Sequence, residues 1–148
     1  MARELHKVWL FGDIYTIHVT GKDTAGEYAV LEVSSPSGSG PPLHKHTREV
    51  EGFYIMNGEF TFQYGDTKLK AEPGTFVHLK KHIPHSFKSV GSDTGKMLTT
   101  IVPAGFENFF IDAGKPISDD SFFPPLENID IREIIKLAKE RYDIEMLA

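Results

Sequence analysis

The stretch GSGPPLHKHTREVEGFYIMNGEFTF, residues 38–62, carries the main indications of both fold and function. Its second half has two apolar runs separated by Asn57-Gly58. That dipeptide is the strongest short-range signal for a β-hairpin, because a type I′ turn needs positive φ at both central residues. His44, His46 and Glu51 come directly before and within the first apolar run. We therefore expect β-structure with a group of potential metal ligands at one end.

The rest of the chain continues the β pattern. Short segments rich in β-branched and aromatic residues follow one another closely, with Gly-rich turns between them, which is typical of an antiparallel sandwich or barrel. These segments are IYTIHVT, YAVLEV, GFYIM, EFTFQY, TKLKA, TFVHL, HSFKSV and KMLTTIV. The sequence predicts an all-β fold in a single domain, residues 1–148, with a barrel over about 7–103 and a C-terminal helical extension over about 104–148.

The C-terminal extension contains two predicted helices. ENFFIDAG, after Pro103, predicts a short helix, and DIREIIKLAKERY predicts an amphipathic one in which Asp130 can cap and Glu133 completes a capping box. Its apolar stripe comprises Ile131, Ile134, Ile135, Ala138 and Tyr142. We expect this helix to pack on the barrel wall, with a dimer contact or a lid over the barrel mouth as alternatives.

Composition excludes several classes of protein. The 148 residues have a formal net charge of −5 and include no cysteine, which excludes disulfides and thiolate chemistry. The negative charge disfavours nucleic acid and anionic membranes as partners, and no apolar run is long enough to span a membrane. The N-terminus also lacks the apolar stretch of a signal peptide. We predict a cytoplasmic protein that binds neither nucleic acid nor membrane.

The histidines and the glutamate have the spacing of a metal site. On an extended strand, His44 and His46 point the same way about 7 Å apart, so both imidazoles can reach one cation. Glu51 adds an anionic ligand, and His85, which follows Pro84, is a fourth candidate. Three imidazoles and a carboxylate suit one divalent transition metal, Mn, Fe, Co, Ni, Cu or Zn, with coordination positions left for a substrate.

The same residues carry a family resemblance. Gly38, five residues, His44, one, His46, four, Glu51, six and Gly58 match the first motif of the cupin superfamily at every fixed position. The pattern extends over most of the chain and resembles the single-domain cupins that are similar to bacterial quercetin 2,3-dioxygenase. The resemblance implies a double-stranded β-helix, the cupin jelly-roll barrel, with a metal held by the histidines and the glutamate.

The second cupin motif matches less completely. Gly74 and His85 are in place, but Lys80 stands where the family has proline, His82 where it has glycine, and Ser89 where it has asparagine. None of these departures replaces the ligand itself. The resemblance therefore implies His85 as the fourth metal ligand.

The resemblance also implies an enzyme. A flavonol or other apolar, oxygen-bearing small molecule would react with dioxygen, and Glu51, with its pKa raised by the apolar barrel, would accept the substrate's proton. Other enzymes on this scaffold, such as an isomerase or a decarboxylase, and a non-catalytic cupin that binds a small molecule or metal are alternatives. A homodimer is expected by resemblance, because a small barrel has sheet edges to protect.

Several other residues are assigned by strand alternation. Phe53, Ile55, Phe76, His78 and Phe87 are interpreted as core or as the wall of the substrate pocket, with His78 alternatively a structural histidine. Glu49 has the same parity as Glu51 and is interpreted as a charge at the rim, with roles as a substitute ligand or a partner of a ligand left open. His82 is assigned to an exposed loop.

Overall fold

The fold is built from short antiparallel strands with three helices among the described residues. The computed structural model describes residues 6–117 and 131–147. The strands, in chain order, are β1 (His6–Leu10), β2 (Asp13–Val19), β3 (Ala29–Ser35), β4 (His44–His46), β5 (Val50–Asn57), β6 (Phe60–Tyr64), β7 (Thr67–Ala71), β8 (Phe76–Leu79), β9 (His85–Ser89), β10 (Gly95–Val102), β11 (Lys115–Pro116) and β12 (Ile144–Met146). The helices are α1 (Gly21–Thr24), α2 (Glu107–Ala113) and α3 (Ile131–Tyr142).

The strands form two sheets. One has the order β11-β1-β2-β3-β10-β5-β8 and the other β12-β4-β9-β6-β7, and every recorded pairing is antiparallel. Alternate residues of β10 are buried, which is the period of a strand with one face on the core. The predicted all-β jelly roll with a C-terminal helix is confirmed.

The turn at Asn57-Gly58 does not close a hairpin. Gly58 has φ of +75° but Asn57 is not among the residues with positive φ, so the type I′ turn is absent. β5 pairs with β10 and β8, whereas β6 pairs with β7 and β9. The chain therefore crosses between the sheets at this point. A side chain on Gly58 would approach the Cα of Gly95 to 2.9 Å, so close packing across this corner favours glycine.

The sheets enclose an aromatic interior. Phe53 faces Phe62 and Phe87 at ring-centroid distances of 5.4 and 5.8 Å, and Phe60 completes the group, 5.8 Å from Phe87. These four side chains come from both sheets and are buried. Their contacts hold the two sheets together and shape the barrel interior.

The C-terminal extension differs from the predicted purely helical one. The helix after Pro103 and the amphipathic helix are present as α2 and α3, but β11 and β12 add a strand to the edge of each sheet. β12 pairs with β4 through Ile144 and His46. The sequence signal missed β12 because three residues are too few to show alternation.

Helix α3 buries a narrower face than the predicted stripe. Ile134 and Ala138 are buried, but Ile131 and Ile135 are 47% and 40% exposed. Tyr142 meets Phe109 of α2 at a ring distance of 5.6 Å, so α3 packs on α2. The predicted cap, Asp130, lies outside the described residues. No helix in residues 6–117 and 131–147 combines the length and apolar character needed to cross a membrane.

Candidate metal centre

Four potential ligands converge inside the barrel. His44 and His46 lie on β4, His85 on the neighbouring β9, and Glu51 on β5 of the opposite sheet. β4 and β9 pair with His44 opposite His85, so three imidazoles project from one sheet toward the carboxylate of the other. One ligand atom from each residue lies within 4.8 Å of all the others, and all four residues are buried.

Each histidine is oriented through its Nδ1 atom. Nδ1 of His44 donates to the Pro42 carbonyl at 2.8 Å, and Nδ1 of His85 makes a longer contact, 3.3 Å, with the Ile83 carbonyl. Nδ1 of His46 instead donates to Oε1 of Glu49 at 2.7 Å. A neutral imidazole whose Nδ1 donates has a lone pair on Nε2, which is the form that binds a metal.

The atoms of the group that face one another have no hydrogen-bond partner among the described residues. Nε2 of His46 lies 2.6 Å from Oε1 of Glu51, and Nε2 of His85 lies 3.7 Å from the same oxygen. Although the first distance is short, none of these three buried atoms has a partner with hydrogen-bonding geometry in the described part of the chain. Buried polar atoms are rarely unsatisfied in folded proteins, and a divalent cation between these atoms would satisfy them together. The residues therefore fit a metal.

Burial and the charges within the group shift the pKa values of His44 and His46 in opposite directions. Burial, reinforced by the neighbouring histidines, lowers the pKa of His44 to about 3. Burial also disfavours a charged His46, but Glu51 and Glu49 outweigh it and raise the pKa of His46 to about 9.

The expected raised pKa of Glu51 is wrong. Burial does act to raise it, but His46 and His85 dominate and hold the pKa of this carboxyl well below its usual range. From the sequence, only the apolar neighbours of Glu51 on β5 are evident. The opposing effect comes from residues of the other sheet.

An apolar cavity opens from this centre into the barrel. Its empty space is about 540 Å³ including the open mouth, and little of it is wide enough for a water molecule. The lining residues include three of the four candidate ligands, His44, Glu51 and His85, and two residues that the sequence assigned to the pocket, Phe53 and Phe87. The lining also includes residues that the sequence did not indicate: Leu10, Phe11, Tyr15, Leu31, Val33, Pro41, Thr99, Ile101, Phe106, Phe109, Phe110, Ile144 and Met146.

Three other residues assigned to the pocket lie elsewhere. Phe76 is 58% exposed and His78 is also exposed, because Val77 and Leu79 are the residues of β8 that face the core. This corrects the predicted parity of that strand. Ile55 is fully buried in the core, outside the cavity lining.

Glu49 lies closer to the centre than the sequence suggested, whereas the His82 side chain is exposed, as predicted for its loop. Glu49 is buried rather than a charge at the rim, and it contacts His46. The backbone N–H of His82 donates to the His46 carbonyl at 2.7 Å, so the loop before His85 is joined to β4. The ring of Phe106, which has no motif signal, packs edge-on against His46 at 4.5 Å.

Comparison with known proteins identifies relatives of this chain. The Cupin domain family matches residues 30–101. The chain is 31% identical over 114 residues to quercetin 2,3-dioxygenase from Bacillus subtilis (strain 168), a match that covers 76% of this chain and 34% of that protein. It is 26% identical over 118 residues to quercetin 2,3-dioxygenase from Aspergillus japonicus, covering 75% and 33%. The chain thus spans about a third of the length of these two relatives.

The fold is shared with proteins of much lower sequence identity. The solved structure of KdgF from a Halomonas species superimposes with a TM-score of 0.62 at 16% identity, covering 72% of this chain and 91% of that one. At this identity the likeness concerns the fold alone.

Proposed function

Because this chain is a cupin similar to quercetin 2,3-dioxygenases, we propose that it is a metal-dependent dioxygenase acting on a flavonol-like or other apolar, oxygen-bearing small molecule. The observation that carries the proposal is the buried group of three histidines and one glutamate at the end of an aromatic-lined cavity. An apolar cavity with a few convergent polar groups is the usual form of a small-molecule site.

The residues have distinct roles in this proposal. His44, His46, Glu51 and His85 hold one divalent transition metal, which when bound supplies coordination positions for substrate and dioxygen and a path for electrons between them. Phe53 and Phe87 provide apolar walls that position a ring system and exclude water from it.

Glu51 is the proposed proton acceptor. Its lowered pKa keeps the carboxylate ionised at neutral pH, and its Oε1 faces the centre where a substrate hydroxyl would lie. A carboxylate with a low pKa is a weak base, so it needs a hydroxyl whose acidity is increased at the centre. Replacing Glu51 by Gln at matched metal occupancy should then abolish turnover, and undiminished turnover would reject this role.

The function is tested with quercetin in air. Metal-stripped protein is reconstituted in turn with manganese, iron, cobalt, nickel, copper and zinc, and loss of flavonol absorbance is followed together with oxygen uptake. We expect turnover with at least one metal and none in His46→Ala. His78→Ala removes an exposed histidine and is the matched control. Confirmed metal loading without turnover would reject quercetin as the substrate.

The narrow cavity favours a second candidate with a smaller substrate. Little of the interior is wide enough for water, so a multi-ring ligand requires side chains to move, whereas a compact molecule does not. Another cupin enzyme, such as an isomerase or a decarboxylase, or a binding protein would use the same ligands. Saturable binding of a small oxygenated compound to metal-loaded protein would favour this candidate, and turnover would separate the enzyme from the binding protein.

We also propose a homodimer through the edge strand β8. β8 is the last strand of its sheet within the described residues, and Tyr54, Met56 and Phe76 beside this edge are exposed. A second copy related by a two-fold axis would cover the same strand in both subunits. Phe76→Lys should lower the mass measured by light scattering to that of a monomer, whereas Val90→Lys, at another exposed position, should not. A monomeric wild type would reject the dimer.

A further inference from the structure

Thr99 carries a buried hydroxyl that has no partner within residues 6–117 and 131–147, in an otherwise apolar wall. It lies on β10 between Phe53 of β5 and Leu31 of β3, and its side chain is only 2% exposed. Its Oγ1 atom is buried and makes no hydrogen bond to the residues that the structure describes. A hydroxyl left in this state costs free energy, and a valine of the same shape would not incur that cost. Packing therefore does not explain the presence of threonine.

The position of Thr99 relates it to the candidate metal centre. Ile101 pairs with Glu51, and Thr99, two residues earlier on the same face of β10, pairs with Phe53. Thr99 is therefore one inward-facing row, about 7 Å along the strand, from the row that contains Glu51. Both residues line the same cavity. A molecule that reaches the centre with one oxygen extends along Phe53 toward this hydroxyl.

We propose that the Thr99 hydroxyl is a specificity-determining hydrogen-bond partner of the substrate. This rests on the proposed function of the cavity, and it narrows the substrate class. The ligand has an apolar, ring-based skeleton with one oxygen at the metal centre and a second polar group about 7 Å away. A hydroxyl both donates and accepts, so the second group is a hydroxyl or a carbonyl. The free energy lost by leaving Thr99 unpaired in the free protein is recovered when such a ligand binds.

Two ligands distinguish a hydrogen bond to Thr99 from binding that depends on the metal centre and the apolar walls alone. Quercetin has hydroxyls far from its 3-hydroxyl, whereas 3-hydroxyflavone has all its oxygens on one ring. Binding of both to zinc-loaded protein is measured by calorimetry without oxygen, for wild type and Thr99→Val. We expect Thr99→Val to weaken quercetin binding roughly two- to tenfold and to leave 3-hydroxyflavone binding unchanged. Thr99→Ser keeps the hydroxyl and should restore selectivity, and Thr100→Val, on the outer face of β10, should have no effect.

A second readout does not depend on the ligand. Thr99→Val should raise the melting temperature of the ligand-free protein, because it removes an unpaired buried hydroxyl. A lowered melting temperature would mean that the hydroxyl is paired in the free protein, and would overturn the inference.

The binding outcomes distinguish this inference from the proposed function. Equal weakening of both ligands, or of neither, in Thr99→Val would overturn the role of Thr99 while leaving the site intact. Failure of the wild type to bind either flavonol would overturn the proposed flavonol-like substrate and with it the role assigned here.

Discussion

Nδ1 of His46 lies 2.7 Å from Oε1 of Glu49, and both side chains are buried. The other two histidines of the centre contact backbone carbonyls instead, so His46 is the one candidate ligand among the described residues that a second carboxylate orients. A carboxylate behind a metal-binding imidazole fixes its tautomer and increases its basicity. Glu49 would therefore act on a metal held at this centre through His46.

We expect Glu49→Gln to weaken metal binding about 10- to 100-fold, because the amide supports the imidazole without the negative charge. Calorimetric titration of metal-stripped protein with zinc measures this change. Glu145→Gln is the matched control, since Glu145 lies on β12 next to β4 but pairs with the half-buried Lys45 at 3.3 Å. Equal affinities of Glu49→Gln and wild type would show that the buried pair is only structural.

Replacing one histidine of the centre should abolish stoichiometric metal binding. His85→Ala removes one of the imidazoles that converge on Glu51, and an incomplete ligand set holds a divalent cation much more weakly. Metal content after dialysis, measured by mass spectrometry, is the readout. His18→Ala, a half-buried histidine near Glu32 rather than in the centre, should retain the wild-type metal content. Full occupancy in His85→Ala would remove His85 from the ligand set.

β12 should contribute to both stability and the metal centre. Ile144 is 1% exposed, pairs with His46 and lines the cavity. Ile144→Ala should lower the free energy of unfolding by about 2–5 kcal/mol, the range for a large core residue, and weaken metal binding through β4. Urea unfolding measures the first effect. Leu147→Ala, at an exposed position, should change stability by less than about 0.5 kcal/mol. Equal losses in both variants would contradict this role for β12.

Asp13 should make folding stability fall as the pH rises. Burial raises the pKa of Asp13 from 3.8 to about 7, against side-chain hydrogen bonds from Ser39, Ser35 and Tyr15 that favour the charged form. The folded state then binds the proton more tightly than the unfolded state, so stability is lost between about pH 4 and pH 7. The loss amounts to at most about 4 kcal/mol.

Asp13→Asn should remove this loss of stability with rising pH, because the amide stays neutral and still accepts the Ser39 hydrogen bond at Oδ1. Chemical unfolding of wild type and variant at several pH values gives the difference. The exposed turn residue Asp66 provides the control Asp66→Asn, which should follow the wild-type curve. If the free energy of unfolding depends on pH in the same way for wild type and Asp13→Asn, Asp13 keeps an ordinary pKa in the folded protein.

The sequence predicted the all-β class, the C-terminal helix and the residues that converge at the centre. His44 and His46 are related by alternation within one strand, and Glu51 follows five residues later at the spacing of the cupin motif. His85 is distant in sequence, but β9 pairs directly beside β4. The jelly roll itself followed from the cupin motif rather than from alternation alone.

Tertiary structure decided what alternation leaves open. A period of two shows which residues share a face but not which face points inward, so Phe76 and His78 were assigned to the wrong side of β8. Asn57-Gly58 favours a hairpin locally, yet pairing within each sheet overrides it.

The sequence by itself determined the chemical groups available for metal binding, because their identity and spacing are local properties of the chain. Only the tertiary structure decided their environment. Glu49 supports His46, the pKa of Glu51 is lowered, and Thr99 faces the cavity because strands distant in sequence pack against one another. Burial and charge interactions depend on neighbours in space, which the order of residues does not specify.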